Sequence, residues 1–184
     1  MRHIKAVLLS LEALSFLAAI AAPAHAAAPA AALNKTITVS FTATGNAKDP
    51  DGRVHAFNTS VVRMVYVSAA GRLFMRHTAT SANRRLSAAG GDFGPDEQAG
   101  GRGGSFSFQG NRLVGVIPYP GGARQITATF DAGFSSCTAS VIEGNAGSGS
   151  FKRRGPGGVM REITNASTSA VSCSIQNGNA FAGQ

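Results

Sequence analysis

The chain of 184 residues has no tryptophan, only two tyrosines, two cysteines and four histidines, and each scarcity removes a class of function. With no tryptophan, and with Tyr66 and Tyr119 both in segments that read as strands, nucleobases find few aromatic faces to stack on, so sequence-specific nucleic-acid binding is not expected. The cysteines form no C-x-x-C pair, and His55 and His77 stand isolated in sequence, so zinc-ligand spacing is missing and neither a metal nor a cofactor is expected. Beyond residue 22 no apolar run approaches the roughly 20 residues of a membrane span.

Catalytic patterns are equally scarce. Gly133-Phe134-Ser135-Ser136-Cys137 comes nearest to a nucleophile elbow, but it lacks the final glycine and leads into a strand instead of a helix. A serine triad built on His55 or His77 would have to assemble in space, and an ordinary surface histidine is the simpler reading of both. Asp49-Pro50-Asp51-Gly52 has the alternating oxygens of a calcium loop, yet the twelfth position is Asn58, which cannot supply the bidentate carboxylate; a turn is expected there. Asp92, Asp96 and Glu97 read as a solvated acidic cluster, and Gly100 to Gly104 as spacer, because that run follows no strand and opens no helix. The chain is therefore read as a non-enzyme.

What is present begins with an export signal. Arg2 and Lys5 precede an apolar stretch over residues 6–22, broken only by Ser10, Glu12 and Ser15, and Ala24-His25-Ala26 offers the small-x-small cleavage site. Residues 1–26 are expected to be removed, which places the mature protein in the periplasm or outside the cell. Removing 26 residues from 184 leaves 158, enough for one domain with a core. Lys plus Arg falls from 17 to 15 and Asp plus Glu from 9 to 8, giving a mature net charge of about +7. That excess suits either plain solubility or anionic partners, an anionic polymer or the cell-envelope surface. In an oxidising compartment Cys137 and Cys173 are expected to pair, closing a loop worth roughly 3–4 kcal/mol in the chain-entropy model.

Along the mature chain, residues 27–34 read as a disordered Ala/Pro-rich leader, and residues 35–184 as a single β domain. Residues 35–44 alternate Ile37, Val39, Phe41 and Ala43 against hydroxyl side chains, the pattern of a half-buried strand. A polar connection is expected over 45–59, hairpins around Gly71 and Gly110, a mobile glycine-rich loop over about 81–104, and further strands over 124–130, 136–142, 159–164 and 169–176. Pro118 and Pro120 place one hairpin end at a sheet edge. Cys137 shares its face with Ala139 and Val141, and Cys173 with Val171 and Ile175, so both thiols are expected to point into a core. About seven to nine short strands without an amphipathic helix make an antiparallel β-sandwich or flattened barrel the economical fold.

One segment carries direction. Lys152, Arg153, Arg154 and Arg161 cluster on a Gly/Pro-punctuated stretch, which reads as a loop able to clamp phosphates or acidic sugars, or else as a solvated basic loop. The runs L-N-K-T-I-T-V-S-F, S-F-S-F-Q-G-N-R-L-V-G-V-I-P-Y, F-D-A-G-F-S-S-C-T-A and C-S-I-Q-N-G-N-A-F resemble small exported proteins of unassigned function from rhizobia-like alphaproteobacteria. The resemblance implies an exported bacterial β protein and brings no activity or site residues. Three roles follow: a non-enzymatic binding or envelope-structural domain, a polyanion-binding module using the 152–161 segment, or an adhesin or pilus-like subunit.

Overall fold

A computed structural model of the chain describes residues 27–81, 84–86, 105–144, 150–154 and 158–180. The segment expected to be an export signal, the 87–104 part of the glycine-rich segment and its acidic cluster lie outside these residues. The described chain is all-β: β1 (Lys35–Lys48), β2 (Val54–Val67), β3 (Leu73–Ser81), β4 (Arg84–Leu86), β5 (Ser105–Gln109), β6 (Arg112–Tyr119), β7 (Gly122–Phe130), β8 (Cys137–Glu143), β9 (Ser150–Arg154) and β10 (Met160–Asn177). A six-stranded antiparallel sheet in the order β4-β3-β2-β1-β10-β9 packs on a four-stranded one, β5-β6-β7-β8. Among the described residues no helix is long and apolar enough to cross a membrane.

The core follows from period-two alternation. Ile37, Val39, Phe41 and Ala43 of β1 and Val61, Val65 and Val67 of β2 turn inward to meet Leu113 of β6 and Ile126, Ala128 and Phe130 of β7. Phe134, in the turn after β7, stacks on Phe130 with ring centroids 4.6 Å apart. The register of β6 requires one glycine: Phe106 of β5 lies opposite Gly115, and a Cβ on Gly115 would come within 2.3 Å of the Phe106 ring.

Both thiols point inward as their phase requires, and Cys137–Cys173 form a disulfide with a Cα separation of 5.6 Å, joining β8 of the small sheet to β10 of the large one. Thr168 Oγ1 donates to Val141 O at 2.7 Å farther along the same seam. On another side, Lys152 N of β9 donates to Pro120 O at 3.0 Å, which ties the sheets there as well. The β5 ladder ends at Val116, before Pro118, which accommodates the missing proline donor among the described residues.

Four expectations are corrected. The leader is not disordered over 28–33: Ala30–Ala32 form a 3-10 turn, Pro29 sets the entry, and Ala32 is fully buried in the core. Small side chains lose almost no rotamer freedom on burial, so this segment docks despite its low complexity. The polar connection over 45–59 shrinks to a turn at 49–53, because β1 and β2 stay paired from Lys35↔Val67 to Lys48↔Val54. The two strands expected over 159–164 and 169–176 are one 18-residue strand, β10, kept on β1 by register shifts where Asn165 and Ala170 take left-handed φ of 52° and 51°. Residues 84–86, assigned to the glycine-rich loop, return as β4 against β3.

The outer face of the large sheet is laid out in rows across β3, β2, β1 and β10. Phe74, Tyr66, Thr36 and Gln176 form the first, Arg76, Met64, Thr38 and Ser174 the second, and Thr78, Val62, Ser40 and Ser172 the third. The β10 members are exposed and those of β1 half-buried, apart from Thr36, which the segment Gly178–Ala180 covers. Hydroxyl groups dominate the β1 and β10 columns.

Candidate functional site

The basic segment is a hairpin, not a loop. Register pairs Arg153 with Arg161, Lys152 with Glu162 and Arg154 with Met160, while Phe151 faces Ile163. Strand alternation therefore divides the four cations. Arg153 and Arg161 share the inward face with buried Phe151 and Ile163; Lys152 and Arg154 lie on the outward face with Glu162. A single clamp of four cations is thus not formed.

The inward pair is committed to carboxylates. Arg161 Nε donates to Asp49 Oδ1 at 2.6 Å, each side chain being about one-fifth exposed, and His55 Nδ1 lies 3.7 Å from the other Asp49 oxygen. Asp49-Pro50-Asp51-Gly52 is a turn closed by Gly52 N donating to Asp49 O, and Asp49 serves Arg161 instead of a cation. Arg153 Nη1 reaches Glu143 Oε1 at 3.6 Å. Outside, Arg154 Nη1 donates to Gly158 O at 2.8 Å, and Lys152 and Lys48 flank Glu162 in one cross-strand row.

Glu143 is also the centre of the most buried ionic group. Arg124 Nε and Nη2 donate to Glu143 Oε2 and Oε1 at 2.5 and 2.9 Å, a two-pronged pair whose side chains are 2 % and 1 % exposed. The Arg124 guanidinium lies 5.0 Å above the centre of the Phe41 ring, so the cation has an anion at its edge and a π face below. This group was not anticipated, although a signal for it existed. Arg124 falls in phase with Ile126, Ala128 and Phe130, and Glu143 with Val141, Ala139 and Cys137; a charge at an inward position on each of two adjoining strands asks for a partner.

The serine-rich turn after β7 is held by Asp131. Its carboxylate accepts from the Ser135 hydroxyl, from Ser135 N at 2.7 Å and from Ser136 N at 3.2 Å, and these bonds lower its pKa to about 2. Lys35 Nζ donates to Phe134 O at 2.7 Å on the far side of the turn. Ser135 thus belongs to a turn that drives Phe134 into the core, not to a nucleophile elbow.

No family model, curated protein or solved structure matches the chain. Function has to be argued from the fold itself. Among the described residues no group of three or more His, Cys, Asp or Glu side chains is placed to hold a metal ion. His77 lies opposite Arg63 in the β2–β3 register. At the β2–β3 turn, Arg72 lies 5.6 Å above the Phe74 ring, and Tyr66 lies beside Phe74 with centroids 6.2 Å apart.

Proposed function

We propose that the chain is an exported, non-enzymatic β-sandwich with a binding or structural role at the cell envelope. The observation that carries this reading is how the inward-facing charges are used. Arg124 and Arg153 share Glu143, and Arg161 pairs with Asp49 of the β1–β2 turn, so these side chains act as fastening between neighbouring segments and do not converge on a reactive group. A disulfide that ties the two sheets and an arginine-rich net charge suit a small domain working in an oxidising, anionic envelope. Polyanion binding through Lys152, Arg153, Arg154 and Arg161 is the weaker reading, since two of the four face inward onto carboxylates.

Three measurements test the proposal. The intact mass of the exported protein should match residues 27–184 less two hydrogens. A broad hydrolase panel should show no turnover; activity abolished by His77→Ala overturns the non-enzymatic role. An adhesin or pilus-like subunit lacking a strand should aggregate when made alone, so a soluble monomer favours the self-contained domain.

A further inference from the structure

A strand at the end of a sheet has backbone groups without a neighbour, and it needs a device against pairing with another chain. The strand order puts β4 and β9 at the ends of the large sheet and β5 and β8 at the ends of the small one. Three of these four edges are guarded. β4 is only three residues long and two of them are Arg84 and Arg85. β9 carries Lys152, Arg153 and Arg154, and its Lys152 N is taken by Pro120 O. β8 is fastened to β10 by the disulfide and by Thr168 Oγ1 donating to Val141 O. β5, with the sequence Ser105-Phe106-Ser107-Phe108-Gln109, has neither a charge nor a proline, and among the described residues only β6 pairs with it. The two-residue turn Gly110-Asn111 closes on Gln109 and Arg112, so alternation directs the backbone groups of Ser105, Ser107 and Gln109 to β6 and those of Phe106 and Phe108 to the other side.

We infer that β5 is a self-association edge, pairing antiparallel with β5 of a second copy of this chain about a two-fold axis at Ser107. An isologous contact needs a self-complementary segment, and this one is nearly its own reverse. Centring on Ser107 sets Phe106 of one copy opposite Phe108 of the other and Ser105 opposite Gln109, so inward positions stay on the inward side. A slip by one residue would set each phenyl group against the hydroxyl face. In the centred register the outward-directed backbone groups of Phe106 and Phe108 satisfy one another across the axis. Ser107, half-buried and on the outer face, meets its own copy at the close spacing of a non-hydrogen-bonded pair, about 4.5 Å between Cα atoms. Guarded edges elsewhere stop the pairing at two copies, unlike a subunit that lacks a strand. Five residues from each copy make a small contact, so the dimer is weak and concentration-dependent. The inference stands apart from the role proposed above.

Sedimentation equilibrium of the oxidised protein from about 10 μM to about 1 mM tests the pairing. A monomer–dimer equilibrium without larger species is expected. Ser107→Lys and Ser107→Glu each set like charges face to face across the axis, and each should weaken dimerisation roughly tenfold. An equimolar mixture of the two sets opposite charges there and should restore it, which only folded variants can do. Hydrogen exchange at the Phe106 and Phe108 amides should slow as the dimer fills. A dimer that ignores both Ser107 charges, or a mixture as weak as either variant alone, overturns the assigned edge. Growth beyond two copies overturns the closed pairing. A monomer at every concentration overturns the inference outright, and slow exchange at those two amides in that monomer would show that another part of the same chain covers the edge.

Discussion

Replacing Glu143 by glutamine keeps the side-chain volume and removes one charge, which makes it a sharp probe of how the interior is held. In the native protein the Arg124 guanidinium is 2 % exposed and receives its compensation from a carboxylate that is 1 % exposed. Glu143→Gln leaves that guanidinium buried beneath β8 with the Phe41 ring and an amide for company, and it cannot reach water without opening the sandwich. Breaking one side of such a pair costs about 3–5 kcal/mol. A small domain has roughly 5–15 kcal/mol in total, so the variant should keep its fold only narrowly. At a urea m-value of about 1–3 kcal/mol/M, the midpoint should fall by about 2 M, followed by far-UV circular dichroism with the disulfide intact. The double variant Arg124→Met with Glu143→Leu removes both charges and replaces them with apolar volume. It should be far less destabilised than Glu143→Gln alone, because the desolvation cost disappears together with the attraction. A single-variant loss below about 1 kcal/mol, or a double variant as weak as the single, would refute the reasoning.

Three further outcomes are expected. The double substitution of Cys137 and Cys173 by serine should cost about 4 kcal/mol, the chain-entropy value for a separation of 36, measured by urea unfolding under non-reducing conditions; an unchanged midpoint would show that the seam between β8 and β10 holds without the bond. Asp131 has a pKa near 2 because the Ser135 hydroxyl and the Ser135 and Ser136 amides favour its charged form, so its contribution to stability is present above the ordinary value of 3.8 and is lost as pH falls toward 2. Asp131→Asn should flatten that acid limb in a pH series of thermal melts, and an unaltered limb would contradict the assignment. Gly115→Val should destabilise by about 1–3 kcal/mol in thermal unfolding, since its Cβ must displace the Phe106 ring; companion Phe106→Ala should relieve much of the clash, and failure of that rescue would place the cause elsewhere.

Much of the sandwich was legible because alternation is a local property. The strict pattern from Lys35 to Thr44 marked β1, and the shared phase of Cys137 with Val141 and of Cys173 with Ile175 placed both thiols in the core where the disulfide forms. Strand length was less legible. The polar residues of 45–48, 54–59 and 165–168 resemble loops when read locally, yet they stay in strands because β1 supplies hydrogen-bond partners on both edges and the outer face tolerates polar side chains. The leader was misread for the same reason: Ala32 gains its burial from residues far along the chain.

The basic cluster shows most plainly where local reading stops. Sequence alone determined that the chain is basic, that its strands alternate, that two cysteines share inward phases and that Lys152, Arg153, Arg154 and Arg161 lie close together. Only the tertiary structure decided that β9 and β10 split those four between two faces, that Arg161 turns to Asp49 and Arg153 toward Glu143, and that Arg124 closes on Glu143 within the sandwich. The reason is physical: period-two alternation assigns a side chain to a face from its immediate neighbours, but which carboxylate waits on that face depends on strand register, and register is settled by pairing between distant segments, so that Asp49 and Arg161 meet across 112 residues of sequence.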